Sequence, residues 1–208
     1  MLPGEQNHDY RTIKKIINKL NYKKALDLGC GSGIYSKIMK NVISLDISID
    51  SLNIAKKHSK NLVLADARKL PFKSNSFDLI VSIEVITHIE KRFWNEIFNE
   101  INRVIKNNGY IIISIHNRNR SKKDVTNTNK YKIFWAEVFE IIKYLKDYRI
   151  IDILYVNLLP QKLQNYSLYK KHRIIYKIIS VIEDFLVFIP MVRNRSLEFV
   201  IFAKKEGR

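Results

Sequence analysis

Three glycines, Gly29, Gly31 and Gly33, stand close together in the run Asp27-Leu28-Gly29-Cys30-Gly31-Ser32-Gly33. Residues 24–28 ahead of them read as a strand, and residues 33–40 behind them read as a helix. Glycine at such a junction permits a tight turn and lets a ligand approach the backbone closely. A helix start there would add unpaired N–H groups and positive potential. Asp46 ends the next expected strand, 19 residues after Asp27. A carboxylate at that point can accept both hydroxyls of a ribose. The chemistry offered is therefore the binding of an adenosine-bearing ligand. A dinucleotide fingerprint needs G-x-G-x-x-G/A, but position 34 is Ile and the third glycine comes one residue early, which fits poorly with seating a pyrophosphate. A P-loop is excluded, because no Gly-Lys-Ser/Thr follows.

The elements that must position these residues alternate in type. Ile13, Ile16, Ile17 and Leu20 form an i, i+3, i+4, i+7 stripe, which predicts a helix over 9–20. Strands are expected at 24–28, 42–46, 62–65, 77–82 and 110–115. Helices are expected at 33–40, 50–59 and 91–106, the last ended by Asn107-Asn108-Gly109. The nearly unbroken apolar run 77–82 suits a strand buried on both faces. This alternation argues a parallel sheet with helices on both sides. The last third differs. Residues 117–132 are polar and basic and read as a mobile surface loop, followed by a helix at 133–146 and strands at 149–155 and 196–204. Between those strands, residues 161–190 contain a basic, strongly apolar helix.

Bulk properties narrow the class. The chain has 208 residues, 46% of them hydrophobic, enough for one globular domain with a core. It is read as a single domain over 1–208, with a cofactor-binding half at 8–116 and an acceptor-side half at 117–208. One cysteine, Cys30, excludes an internal disulfide and fits a reducing compartment. The first residues carry no apolar signal region, and no stretch approaches a transmembrane span, so a cytoplasmic protein is expected. Lys and Arg number 37 against 20 Asp and Glu, a formal charge of +17. That excess fits a polyanionic partner, RNA or an anionic membrane surface. It fits equally a compositional bias in a chain also crowded with Ile and Asn.

The run from Ala25 to Gly33 resembles motif I of class I S-adenosylmethionine-dependent methyltransferases, in particular the type 11 methyltransferase-domain group. The resemblance continues in order. Leu45-Asp46-Ile47-Ser48 is similar to the ribose motif, and Ala65-Asp66-Ala67 with Leu70-Pro71-Phe72 to the adenine motif. The stretches 76–82 and 85–89 resemble the fourth-strand motif. Residues 105–110 depart from the family, with Asn107-Asn108-Gly109 where a Pro-Gly-Gly turn is usual. The resemblance covers residues 8–116 and implies a three-layer αβα sandwich around a mostly parallel seven-stranded sheet, order 3-2-1-4-5-7-6, with the last strand antiparallel.

It also implies S-adenosyl-L-methionine as cofactor, S-adenosyl-L-homocysteine as its product, and a role for each matching residue. Asp27 holds the loop and faces the methionine end, while Gly29, Cys30, Gly31 and Gly33 set the backbone against the cofactor. Asp46 takes the ribose hydroxyls and Ile47 packs on adenine. Asp66 binds the adenine amino group, and the Ala67 N–H meets a ring nitrogen. The backbone at Ser82 and Ile83 meets the methionine ammonium, with Glu84 at the mouth of the site. Tyr10 and Arg11 lie on a helix that often caps the cofactor in this family.

The acceptor side is less determined. His88 is the candidate catalytic residue, as a general base or an acceptor-orienting group; its alternative is a helix-start histidine bonded to backbone or solvent. The five histidines (His8, His58, His88, His116, His172) show no metal-ligand spacing, so no metal site is expected. Residues 169–191 fit a lid over an apolar substrate, an interfacial membrane helix, or a helix packed on the sheet or on a second copy in a homodimer. The expected function is methyl transfer to a small-molecule or lipid-like acceptor. Alternatives are a tRNA methyltransferase of the wobble-uridine type, which residues 65–89 resemble, and a non-catalytic cofactor-binding partner subunit.

Overall fold

The computed structural model describes residues 8–121, 123–128, 132–156 and 196–207. Its centre is one seven-stranded sheet. The strands are β1 (Ala25–Leu28), β2 (Val42–Asp46), β3 (Leu62–Leu64), β4 (Phe77–Ile83), β5 (Ile105–His116), β8 (Tyr148–Val156) and β9 (Glu198–Lys205). Between β5 and β8 the chain forms a separate two-stranded hairpin, β6 (Val125–Asn127) and β7 (Lys132–Phe134). The sheet order is β3-β2-β1-β4-β5-β9-β8. All pairings from β3 to β5 are parallel, and β9 runs antiparallel to both β5 and β8. This is the expected order with the hairpin added outside it.

The helices cover the sheet on both faces. α1 (His8–Lys19) buries Ile13 and Ile17 against Leu79, Val81, Ile112 and Val200. α3 (Trp94–Val104) buries Trp94, Ile97, Phe98, Ile101 and Val104, a stripe at helical spacing, against the opposite face. Ile111, Ile113 and Ile115 of β5 point to that side and Ile112 to the other, as the period of two in a strand demands. α5 (Val138–Ile142) adds Ile141 to the α3 side, and Tyr144 stacks on Phe98 with ring centroids 4.6 Å apart. α2 (Ile49–Ala55) packs Leu52 and Ala55 on Cys30.

Four expectations are corrected. No helix spans 33–40; the segment makes one 3-10 turn, Ser36–Ile38. Gly33 sits at φ +77, the Tyr35 and Ser36 side chains are committed to Asp9 and Asp27, and Met39 is already extended. The dipole contribution expected behind the glycine loop is thereby lost. Residues 105–109 do not end a helix outside the sheet. They form a bulge in β5, whose register passes from Phe77↔Ile105 to Leu79↔Tyr110 with Asn108 at φ +62.

Residues 117–132 are not a plain loop. They hold α4 (Arg118–Ser121) and β6, anchored where Arg118 binds Asp124 at 2.8 Å and Glu137 at 2.6 Å. The helix expected at 133–146 shrinks to α5, because Lys132–Phe134 pair with β6 and the Glu140 carboxylate accepts the Glu137 N–H at 2.9 Å to start the helix there. The amphipathic helix expected near 163–190 lies outside the described residues. Among the described residues no helix is long and apolar enough to cross a membrane.

Candidate functional site

The carboxyl ends of β1 to β4 open into a trough, the place where open α/β sheets take their ligands. It consists of a hollow of about 610 Å³ and a smaller one of about 260 Å³. The two share Gly29, Gly31, Ile83 and Glu84, so they are halves of one continuous site. Asp46, Ile47, Asp66, Ala67 and His88 line the larger half, and Asp27 and Cys30 the smaller. Gly33 and Ser82 line neither. A Cβ on Gly33 would stand 3.1 Å from that of Ala55, so this glycine serves the packing of the loop on α2. The Ser82 side chain is buried in β4, with no partner for its hydroxyl among the described residues.

The glycine loop is pinned to β2. The N–H groups of Gly29 and Cys30 both donate to the Leu45 carbonyl, at 2.7 and 2.9 Å, and the Gly31 N–H donates to Asp46 Oδ2 at 2.9 Å. The other oxygen, Oδ1, accepts the Ser48 N–H at 2.9 Å at the start of α2. Two backbone bonds thus fix the Asp46 carboxylate facing the larger hollow, with lone pairs left for further donors. Next to it Ile47 is 69% exposed, an apolar side chain left largely uncovered by the described residues.

The smaller half is ringed by acids. Asp27 is fully buried, accepts the Ser36 hydroxyl, and Ser36 meets Ser44 at 2.7 Å. Burial, opposed by the Ser36 bonds and helped by the Asp46 charge, raises the Asp27 carboxyl to about 7. The Tyr35 hydroxyl donates to Asp9 Oδ2 at 2.8 Å, and burial followed by the Asp9 charge pushes that phenol well up. Burial, with the Asp27 and Asp46 charges, raises the Cys30 thiol to about 12, so it stays protonated and acts as a small filler.

Sequence reasoning missed several groups. Arg68 clasps the Asp66 carboxylate through Nε and a terminal nitrogen at 2.9 and 2.6 Å and lies over the Phe93 ring at 4.7 Å, with both residues lining the larger hollow. The guanidinium bonds hold the Asp66 carboxyl below its ordinary range. The i, i+2 spacing of Asp66 and Arg68 was a usable signal. Asp9 carried none, since its partner Tyr35 lies 26 positions away. On α1, Tyr10 is buried against the Tyr35 ring, and its neighbour Asp9, not Arg11, lines the trough. His88 is exposed at the rim, its ring nitrogen 3.5 Å from the Lys132 carbonyl. Glu84 takes a left-handed backbone, φ +58, directly after β4, with its N–H on Ser114 Oγ at 3.0 Å.

Residues 26–113 match the family model described as a methyltransferase domain. An uncharacterized protein of Methanocaldococcus jannaschii is 34% identical over 149 residues, 70% of this chain and 61% of that protein. The malonyl-[acyl-carrier protein] O-methyltransferase of Legionella pneumophila is 32% identical over 111 residues, 46% of this chain and 37% of its own. The chain thus spans less than two thirds of these relatives' lengths. The crystal structure of an S-adenosylmethionine-dependent methyltransferase from Mesorhizobium loti superposes with a TM-score of 0.67 at 13% identity, covering 95% of this chain and 98% of that one. The glycine loop and the Asp46 carboxylate at the end of β2 lie within the segment that matches the methyltransferase-domain model, and the sheet has the order of the class I methyltransferase fold.

Proposed function

We propose that this chain transfers the methyl group of S-adenosylmethionine to a small or lipid-like acceptor. The observation that carries the donor half is the two-part trough with Asp46 fixed at the crossing of the glycine loop and α2. The residues fit the cofactor. Among the described residues, chain neighbours aside, no atom lies within 4 Å of where a Cβ on Gly31 would stand, so the loop offers bare backbone to the trough. Asp46 would hold the ribose hydroxyls, and the exposed Ile47 would lie on the adenine. Asp66 would accept the adenine amino group beside its Arg68 bonds, with the Ala67 N–H next to it. The acids of the smaller half, Asp27 and Asp9, suit the cationic methionine end.

The cofactor supplies a methyl group already activated on a sulfonium. What remains for the chain is orientation, which can contribute several kcal/mol, roughly 7–11 in well-oriented cases. Val85, Ile89 and Phe93 line the larger hollow beside His88 and give an apolar wall to an acceptor. His88 at the rim is placed to orient that acceptor or take its proton. The small-acceptor reading is supported over RNA because Arg118, the first cation of the basic segment, is held by Asp124 and Glu137 and not presented to phosphates.

Two measurements test this. Asp46→Ala should abolish cofactor binding in calorimetry with the fold retained; binding equal to the parent refutes the ribose assignment. Labelled-methyl transfer into fractionated cell extract should mark the small-molecule or lipid pool. Label in RNA alone would overturn the acceptor class while leaving the donor half standing.

A further inference from the structure

Beside the trough the fold gathers a second set of groups, of which only Glu84 also lines the trough. His116 ends β5 and Glu198 begins β9, and the two are directly opposed in the antiparallel register. Opposed residues of this kind hold their Cβ atoms about 4.5–5.5 Å apart. They follow Ser114 and precede Val200 at strand spacing, on the sheet face that α1 covers. Glu84 arrives from β4, whose Ile83 pairs with Ser114. The carboxylate oxygens of Glu84 and Glu198 and a ring nitrogen of His116 all lie within 4.8 Å of one another.

The cluster is held in place. Glu84 adopts φ +58, a conformation a side-chain-bearing residue keeps only where its surroundings impose it. Trp135 packs edge-on against the His116 ring at 5.0 Å and is itself fixed by its indole N–H on Thr126 at 2.9 Å. Beyond the cross-strand pair, the buried Asn117 closes on Ser196, Nδ2 to Oγ 3.2 Å. His116 is only 7% exposed, yet its Nδ1 has no hydrogen-bond partner among the described residues. A buried ring nitrogen of that kind is an open ligand position.

We infer that Glu84, His116 and Glu198 form a binding site for one divalent transition-metal cation, of the Mn²⁺ or Zn²⁺ type, at the edge of the trough. One imidazole and two carboxylates suit these ions, whereas Mg²⁺ and Ca²⁺ prefer oxygen ligands alone. Metal–ligand bonds of about 2.0–2.2 Å bring the ligand atoms to roughly 3 Å from one another. Glu84 is the member able to close that gap, because it is half-buried and borders both hollows. The free coordination positions lie on the Glu84 side, toward the trough. There the cation would take an oxygen of the acceptor. The site is built by the chain alone and does not rest on the cofactor.

The test uses the full chain, stripped with chelator, titrated with MnCl₂ and ZnCl₂ without cofactor. One saturable site is expected by calorimetry and by Mn²⁺ electron paramagnetic resonance, with MgCl₂ competing poorly. His116→Gln and Glu84→Gln should each weaken it at least about tenfold, the scale seen even for lost outer-shell partners. Should either variant fail to fold, Mn²⁺ added to the parent should selectively broaden the His116 ring resonances. No saturable binding in the parent, unchanged binding in both folded variants, or unbroadened His116 signals would overturn the inference. Cofactor binding measured separately keeps this outcome distinct from the fate of the methyltransferase reading.

Discussion

The three glycines of the loop should separate folding from cofactor binding when each is replaced by alanine. All three are left-handed, with φ of +70 at Gly29, +51 at Gly31 and +77 at Gly33. An alanine in that region costs about 1–2 kcal/mol of backbone strain. At Gly31 nothing else is added, because the new methyl meets no atom of the described residues, chain neighbours aside, within 4 Å. At Gly29 the methyl would stand 2.3 Å from Val85 Cγ2 and 2.9 Å from Cγ1. Val85 is short and stiff at χ1, so relief requires backbone movement, and overpacking of this kind costs a further 1–3 kcal/mol or so. For a domain of this size each kcal/mol lowers Tm by roughly 2–4 °C. Gly29→Ala should therefore melt roughly 4–20 °C below the parent, and Gly31→Ala only about 2–8 °C below.

Affinity should run the other way. The Gly31 methyl projects into the space the loop backbone offers a cofactor, so Gly31→Ala should bind S-adenosylhomocysteine at least about tenfold more weakly, or about 1.4 kcal/mol. The clash at Gly29 can be isolated in a double-mutant cycle, since Val85→Ala removes the atoms it strikes. The pair should show a favourable coupling of about 1–2 kcal/mol. Calorimetry and thermal melts on the four proteins decide the matter. Parent-like affinity in Gly31→Ala would refute the placement of cofactor against this loop. Zero coupling between positions 29 and 85 would refute the packing argument.

Asp27 makes stability depend on pH with an unusual sign. Its folded carboxyl titrates near 7 and its unfolded one near 3.8, so between those values the folded chain holds the extra proton. Stability then falls as pH rises from 4 to 7 and is lowest above 7, by up to about 4 kcal/mol from this group. Asp27→Asn should remove that slope, matching the parent near pH 4 and exceeding it at pH 8 in urea melts; an unchanged slope would show that another group titrates. Arg103 should matter locally. It donates to the Phe72 carbonyl at 2.7 Å and the Leu70 carbonyl at 3.0 Å while pairing with Glu100, which in turn accepts the Leu70 N–H at 2.7 Å. Arg103→Ala should accelerate amide exchange at Leu70 more than at β4, and equal acceleration at both would mean the clamp is not local.

The parts of the site legible in the sequence are those that adjoin one strand end. The glycine loop begins directly after β1, Asp46 ends β2 and Asp66 lies two residues past β3, so strand periodicity and loop chemistry locate them together. Periodicity predicts a helix behind the loop because it does not register where side chains go. Ser36 and Tyr35 turn to Asp27 and Asp9, bonds spanning 9 and 26 positions, and those end the turn early. The basic stretch after β5 reads as a loop because alternation over three residues is too short a signal for the β6–β7 hairpin, and because the Arg118 partners Asp124 and Glu137 fall on both sides of it.

The remaining cluster could not be read from spacing at all, for a topological reason. Parallel strands deliver their carboxyl ends to one edge of the sheet, which is where β4 leaves Glu84 and β5 leaves His116. A parallel strand in the place of β9 would bring its carboxyl end there too, as β8 does with Val156. The antiparallel β9 instead brings its first residue, so Glu198 reaches the same edge from 82 positions beyond its partner His116. The reversal of one strand is what brings a second carboxylate beside Glu84. The glycine, Asp46 and Asp66 motifs use loops that follow successive strands and are contiguous in sequence, whereas this cluster joins two strand ends to the beginning of a third and is assembled only by folding.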